Sequence, residues 1–286
     1  MTNGFNPTTR DPRFFETPYP STWDKVVAFA ARTLAVAPPV VPVLDLHPDY
    51  QPNVDFKKLK ADGFGAVIVK LTEANWVVDG SHEYCYRAQD ADLAVMVYHF
   101  FRSNVSGQLQ ANTHLFELYK IVERLLYKPP TWADVETPDN VSVNTRVGNL
   151  LNYLEVTNDY RARSGFYSSP YLWQQLIGNT SWAPNYDGWV AHWTSASSPT
   201  LPIGWVSPML KLWQIGVSGK HSWVPLVPAV TTNVDYNYFF GTQNELRAYC
   251  GVVEPIPPDD DLQEQIDALN KRVTDLENAE YKVVRI

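Results

Sequence analysis

Residues 94–136 read AVMVYHFFRSNVSGQLQANTHLFELYKIVERLLYKPPTWADVE, and the order of elements within this stretch decides the fold. Ala94–Phe100 is a continuous apolar run of strand length, and Gln108–Leu126 carries the apolar spacing of a long amphipathic helix. Thr131–Glu136 then reads as a second strand. A strand, a long helix and another strand form the unit that joins parallel strands. Strands that are apolar on both faces belong to a sheet covered on both sides.

The same alternation extends outward. Val40–Leu46, Ala66–Leu71 and Ser164–Tyr167 read as strands; Asp55–Asp62, His82–Asp92 and Val143–Arg161 read as helices. After Asp187 the helical patterns stop, and Trp189–Trp193, Met209–Ile215 and a segment near Val234 read as strands joined by Pro- and Ser-rich loops. The expectation is an α/β fold, a βα barrel over 40–252 whose last third is β-rich. Residues 1–39 form an N-terminal extension with one helix, which starts near Ser21-Thr22-Trp23-Asp24, runs from Val26 to Leu34 and stops at Pro38-Pro39.

Beyond the barrel, Glu254-Pro255-Ile256-Pro257-Pro258 lies in a stiff linker over 253–261, and 262–286 reads as a short helical tail. Leu262, Ile266, Leu269, Val273 and Leu276 alternate spacings of four and three, a coiled-coil-like seam with β-branched a and Leu d positions that favours parallel dimers. The seam is about two heptads long, too short to hold a pair alone. It reads either as a homo-oligomer contact or as a helix folded back on its own barrel.

The balance of −8 argues against a phosphate-tracking surface, and no stretch interleaves basic residues with aromatics, so no nucleic-acid partner is expected. Half of that charge, −4, sits in residues 259–286. Ten Trp, 16 Tyr and 12 Phe exceed the needs of a core and are compatible with stacking on sugar rings, although on this feature alone core and edge packing is the favoured reading. Cys85 and Cys250 define neither a disulfide framework nor a metal site and read as reduced, partly buried thiols. The N-terminus lacks the basic and apolar regions of a secretory signal, and no apolar run reaches membrane-spanning length.

Chemistry enters at Asp134-Val135-Glu136. Side chains alternate along a strand, so both acids share one face near its C-terminal end. Repulsion there raises one pKa and leaves an acid beside an ionised carboxylate, the pair that glycosidic cleavage needs. A lone D-x-E can equally cap a helix or face water. Asp45 and Asp235 end or begin other strands, however, and in βα barrels the strand C-termini converge on one mouth. Other chemistries find no support. The six histidines, His47, His82, His99, His114, His192 and His221, form no metal-binding pair. His99 reads as packed or hydrogen-bonded at its strand. No G-x-S-x-G elbow or dinucleotide fingerprint is present, and no metal or cofactor is implied.

Eight stretches in order resemble glycoside hydrolase family 25, the lysozymes of some bacteria, fungi and phages. They are Val43-Leu44-Asp45-Leu46-His47 with Gln51 and Asn53–Phe56; Val67–Glu73; Val97–Arg102; Asp134–Glu136; Gly165–Ser169; Trp189–Ala191; Leu212–Gln214; and Val234–Asn237. The resemblance implies a TIM-like barrel of five βα units completed by three further strands. It also implies hydrolysis of the β-1,4 bond between N-acetylmuramic acid and N-acetylglucosamine in bacterial peptidoglycan, with retention. By position, Glu136 would be the general acid, and Asp134 would orient or stabilise the developing charge, including charge on the substrate's own 2-acetamido group. Asp45 and Asp235 would hold the saccharide and tune Glu136. Tyr98 and Tyr167 would line the site, with Trp213 as a sugar platform. His47 stands where the family has Ser, and could add a donor. The expectation is an endolysin kept in the host cytoplasm until its release to the wall. The rivals are a virion-associated, non-catalytic saccharide-binding barrel and a hydrolase of chitin-like polymers.

Overall fold

The computed structural model describes residues 39–160, 164–252, 264 and 266–275. The N-terminal helix expected over 26–34, the linker residues 253–261, Leu262 and Leu276 lie outside them. The chain divides into two compact units, Met1–Val252 and Val253–Ile286.

In the first unit the strands are β1 (Val40–Leu46), β2 (Ala66–Glu73), β3 (Trp76–Val77), β4 (Ala94–Phe100), β5 (Thr131–Asp134), β6 (Gly165–Ser168), β7 (Asp187–Ala191), β8 (Leu210–Ser218) and β9 (Val234–Phe240). They pair in the order β1-β9-β8-β7-β6-β5-β4-β2, and β1 pairs with β2 to close an eight-stranded barrel. β3 folds back antiparallel on β2 outside this ring. From β1 through β2 and β4 to β8 every neighbour is parallel; β9 alone runs antiparallel, to both β8 and β1. Its first residues therefore share the rim reached by the last residues of the parallel strands.

Five helices follow the parallel strands: α1 (Phe56–Ala61), α2 (Ser81–Asp90), α3 (Gly107–Leu125), α4 (Val143–Tyr160) and α5 (Pro170–Leu176). These are the five βα units expected, and β7, β8 and β9 complete the ring. Local chemistry sets the ends. Asp55 caps α1 by accepting the Lys58 N–H, and Ser169 caps α5 ahead of Pro170 at its first turn. Gly107 lets α3 and α4 approach closely, because a Cβ there would stand 1.9 Å from the Asn149 carbonyl oxygen.

Helices do not end at Asp187, which corrects the sequence reading. α6 (Gln243–Cys250) opens on a capping box between Thr242 and Glu245 and closes on Gly251 at φ 80°. Its Leu246 and Cys250 are buried; Arg247 pairs with Asp92 at 3.0 Å, and the Tyr249 hydroxyl donates to Asp187 at 3.0 Å. Asp92 precedes β4 and Asp187 begins β7, so α6 lies across the N-terminal ends of the strands. It covers the floor of the barrel. Above it, the Trp132 ring fills the interior; a Cβ on Gly165 would stand 2.2 Å from that ring.

In the second unit, residues 266–275 are helical, and Ile266, Leu269 and Val273 are exposed. Among the described residues no helix is long and apolar enough to cross a membrane.

Candidate active site

Register fixes which side chains enter the barrel. Asp45, one residue before the end of β1, accepts from Gln214 Nε2 at 3.0 Å and from Asn237 Nδ2 at 2.9 Å, both on the same Oδ2. Gln214 belongs to β8 and Asn237 to β9, so all three point inward. Asp45 and Asp235 are direct cross-strand partners. Opposed residues of an antiparallel pair hold their Cα atoms about 4.5–5.5 Å apart, so two carboxylate-bearing positions stand side by side at one rim.

The opposite wall brings the second pair. Asp134 ends β5 in register with Phe100 on one side and Tyr167 on the other. The Tyr167 hydroxyl donates to Gln214 Oε1 at 2.9 Å, which places Tyr167, and with it Asp134, on the inner face. Asp134 is only 1% exposed. The strand stops there, shorter than the sequence suggested: Val135 donates to the Tyr167 carbonyl at 2.9 Å and accepts from the Ser168 hydroxyl at 2.9 Å. Glu136 follows in the loop, half-buried. Asp134 and Glu136 thus leave the top of one wall, Asp45 and Asp235 the top of another.

A buried amide network spans the interior between them. Gln214 Oε1 also accepts from Trp193 Nε1 at 2.8 Å, and Asn237 Oδ1 accepts from Trp189 Nε1 at 2.8 Å. Both amides present N–H groups to Asp45, an arrangement that suits an acceptor-only carboxylate. Each amide oxygen is in turn fixed by an indole, so neither side chain can flip without losing a bond.

Tyr98 and Tyr167 both point inward, with ring centroids 6.2 and 4.5 Å from Trp189. Tyr98 lies one inward position below Phe100, the register partner of Asp134, and so supports the layer that carries the acid. His47 lies just beyond β1 at the mouth. Its ring stacks on Tyr50 at 4.1 Å, its Nδ1 accepts from the Asp49 N–H, and the His47 backbone N–H donates to Gln51 Oε1 at 2.8 Å. Gln51 in turn donates to the Asn233 carbonyl, tying this turn to the entry of β9.

Trp213 requires a correction. It is adjacent to Gln214 in β8 and so faces the outside of the wall. There it is buried, donates to the His192 carbonyl at 2.8 Å and packs edge-on to Tyr238. Trp193 is the tryptophan that reaches the inner network. Exposed aromatics beyond the strand tops include Tyr50 after β1, Trp76 in β3 and Trp223 after β8.

The family model for glycosyl hydrolases family 25 matches residues 47–222, more than half of the chain. The chain belongs to glycosyl hydrolase family 25. Solved structures agree in fold. A bacterial lysozyme from Streptomyces coelicolor is 23% identical with a TM-score of 0.61, covering 73% of this chain and 96% of its own. A family 25 lysozyme from Aspergillus fumigatus is 20% identical with a TM-score of 0.60, covering 74% and 100%. A muramidase from Trichobolus zukalii is 22% identical with a TM-score of 0.58, covering 73% and 98%. No curated protein matches the chain. Members of this family are glycoside hydrolases.

Sequence reasoning overlooked the amides, Gln214 and Asn237, because they do not ionise. Their signal was positional: each lies within a stretch that matched the family. It also overlooked Lys70, Glu73 and Arg102, which form an ion-paired row beside the acids, with Lys70 2.7 Å and Arg102 3.2 Å from Glu73. Among the described residues no group of His, Cys, Asp and Glu is arranged to hold a metal ion. Cys85 and Cys250 are fully buried free thiols, and burial pushes the Cys85 thiol up to about 12.

Proposed function

We propose that this family 25 barrel is a muramidase that hydrolyses the β-1,4 bond between N-acetylmuramic acid and N-acetylglucosamine in bacterial peptidoglycan. The supporting observation is the meeting of two acid pairs over one mouth. Asp134 and Glu136 rise from the end of β5, Asp45 and Asp235 from the β1–β9 pair, and the Gln214–Tyr167 bridge joins the two walls. Glu136 is the candidate acid that protonates the leaving oxygen. Asp134, more deeply set, faces the positive charge that develops at the anomeric carbon or on the substrate's 2-acetamido group. Asp45 and Asp235 hold the saccharide, and the exposed Trp76 offers an apolar face to a sugar ring beyond the cleavage point.

The decisive experiment is release of reducing ends from purified peptidoglycan by the wild type and by Glu136→Gln, with the new reducing sugar identified. Release of muramic acid ends that disappears in the variant supports the reading; an inactive wild type on walls of several species overturns it. NMR of the product anomer tests the proposed retention. The binding-only reading is disfavoured by the presence of all four carboxylates at the mouth.

The tail carries a separate proposal, that it pairs copies of the chain. Ile266, Leu269 and Val273 are exposed along one helix at heptad spacing. Sedimentation of the full chain against a form ending at residue 254 tests this; one chain per particle for both rules it out.

A further inference from the structure

The loop that carries Glu136 is held from two sides. Asp139, three residues beyond Glu136, has a side chain only 2% exposed. Its Oδ2 accepts from the Ser103 N–H at 2.6 Å and from the Thr137 hydroxyl at 2.9 Å, while Oδ1 meets Arg102 Nη2 at 2.7 Å. Arg102 also reaches Glu73, and Glu73 reaches Lys70, so alternating charges run from the top of β2 across β4 to the loop after β5. From the other side Arg146 of α4, itself buried, donates to the carbonyls of Pro138 at 2.6 Å and Val141 at 3.1 Å.

The backbone inside this clasp is unusual. Asp139 and Asn140 both have positive φ, 46° and 54°, a conformation non-glycine residues rarely adopt twice in succession. Such a turn persists where its surroundings over-determine it. Here the Asp139 carboxylate does so, binding the neighbouring β4 loop and Thr137, the residue that directly follows Glu136. Asp139 is too buried to meet a polymer. Lys70 and Arg102 are each engaged by an acid, which argues against the row as an anion-binding surface.

We propose that Asp139, clasped by Arg102, Ser103 and Thr137, is a positioning residue that sets where Glu136 stands over the scissile bond. The proposal rests on Glu136 being the acid of the muramidase reaction. Misplacing a reacting group by about 1 Å can cost about 100-fold in rate, so a clasp that fixes the loop acts on turnover.

The test is steady-state kinetics on soluble peptidoglycan fragments across pH, with amide hydrogen exchange of residues 135–141 in the substrate-free protein. Asp139→Ala is expected to lower kcat about 10- to 100-fold with KM held within about twofold. Asp139→Asn keeps an acceptor oxygen for Ser103 and Thr137 and should lose less. The alkaline limb of the kcat profile, which reports the acid in the bound complex, should move in both. Exchange over 135–141 should quicken, and Arg102→Lys should recover more turnover than Arg102→Gln. Unchanged kcat with a lower thermal midpoint overturns the proposal, as does a raised KM with kcat held. If Asp139→Ala does not fold, Arg102→Gln carries the same readouts. If the wild type cuts no wall, the muramidase reading fails, while unaltered exchange over 135–141 in Arg102→Gln separately overturns the clasp.

Discussion

The barrel wall separates two buried polar networks that are opposites in chemistry. On the inner face, Asp45, Gln214, Asn237, Tyr167, Trp189 and Trp193 are joined by hydrogen bonds around a carboxylate. On the outer face, His99 and His114 share the Thr72 hydroxyl at 2.8 and 2.6 Å, and their other nitrogens meet Gln110 and Thr131. Among the described residues no hydrogen bond joins this outer set to a carboxylate. Burial pulls His99 down to about 3 and His114 well below its ordinary value, so both rings are neutral at pH 7. The outer network is closed and uncharged, and it ties α3 to the strands. The inner network surrounds an acid and ends at a mouth. Burial of polar groups is common to both; what separates a staple from a site is whether a charge remains where a substrate can reach it.

The contrast predicts unequal losses. Glu136→Gln should reduce turnover by roughly 10²–10⁴-fold with no loss of thermal midpoint, whereas His114→Gln should leave turnover near wild type. A comparable kinetic loss from the outer variant would break the distinction. Gln214→Leu attacks the inner network itself. It strips Asp45 of one donor and leaves Tyr167 and Trp193 without their shared acceptor, so calorimetry should show a cost of about 1–3 kcal/mol together with lower kcat.

The outer network should show itself through acid instead. An unfolded histidine takes up a proton below about 6.5, while these folded rings resist it. The unfolded chain therefore binds more protons between that value and the folded pKa, and stability falls as pH drops through the window from about 6.5 toward about 3. The loss approaches about 1.4 kcal/mol per pH unit for each ring. Thermal midpoints from pH 7 to 4 should decline less steeply in His114→Gln, and an identical slope would show that the buried rings do not govern it. The smallest effect belongs to Trp213→Phe, which removes the bond to His192 at about 1 kcal/mol. KM for a glycan should not move, whereas Trp76→Ala should raise it; the reverse result would return Trp213 to the mouth.

Sequence showed the parallel barrel because its strands are apolar runs separated by helical periodicities, and those two patterns survive folding. Asp134 was legible for the same reason, since alternation puts it on the face of Trp132; Glu136 lies past the end of β5, where alternation no longer applies. The face of Trp213 was not. β8 is buried for most of its length on both sides, so hydrophobicity carries no parity, and only pairing with β7 and β9 decides that Gln214 faces the acids. α6 carries a readable signal in Thr242 and Glu245, but it is a single short helix that follows a strand-rich stretch. Asp139 had none: its clasp arises from a left-handed turn and from Arg102 on the loop after the adjacent strand β4, neither of which leaves a periodic trace.

Trp132 occupying the space vacated at Gly165, with α6 laid across the floor, makes the barrel a basin rather than a tunnel. The interior therefore offers no passage from end to end, and whatever the barrel binds is met at its open rim.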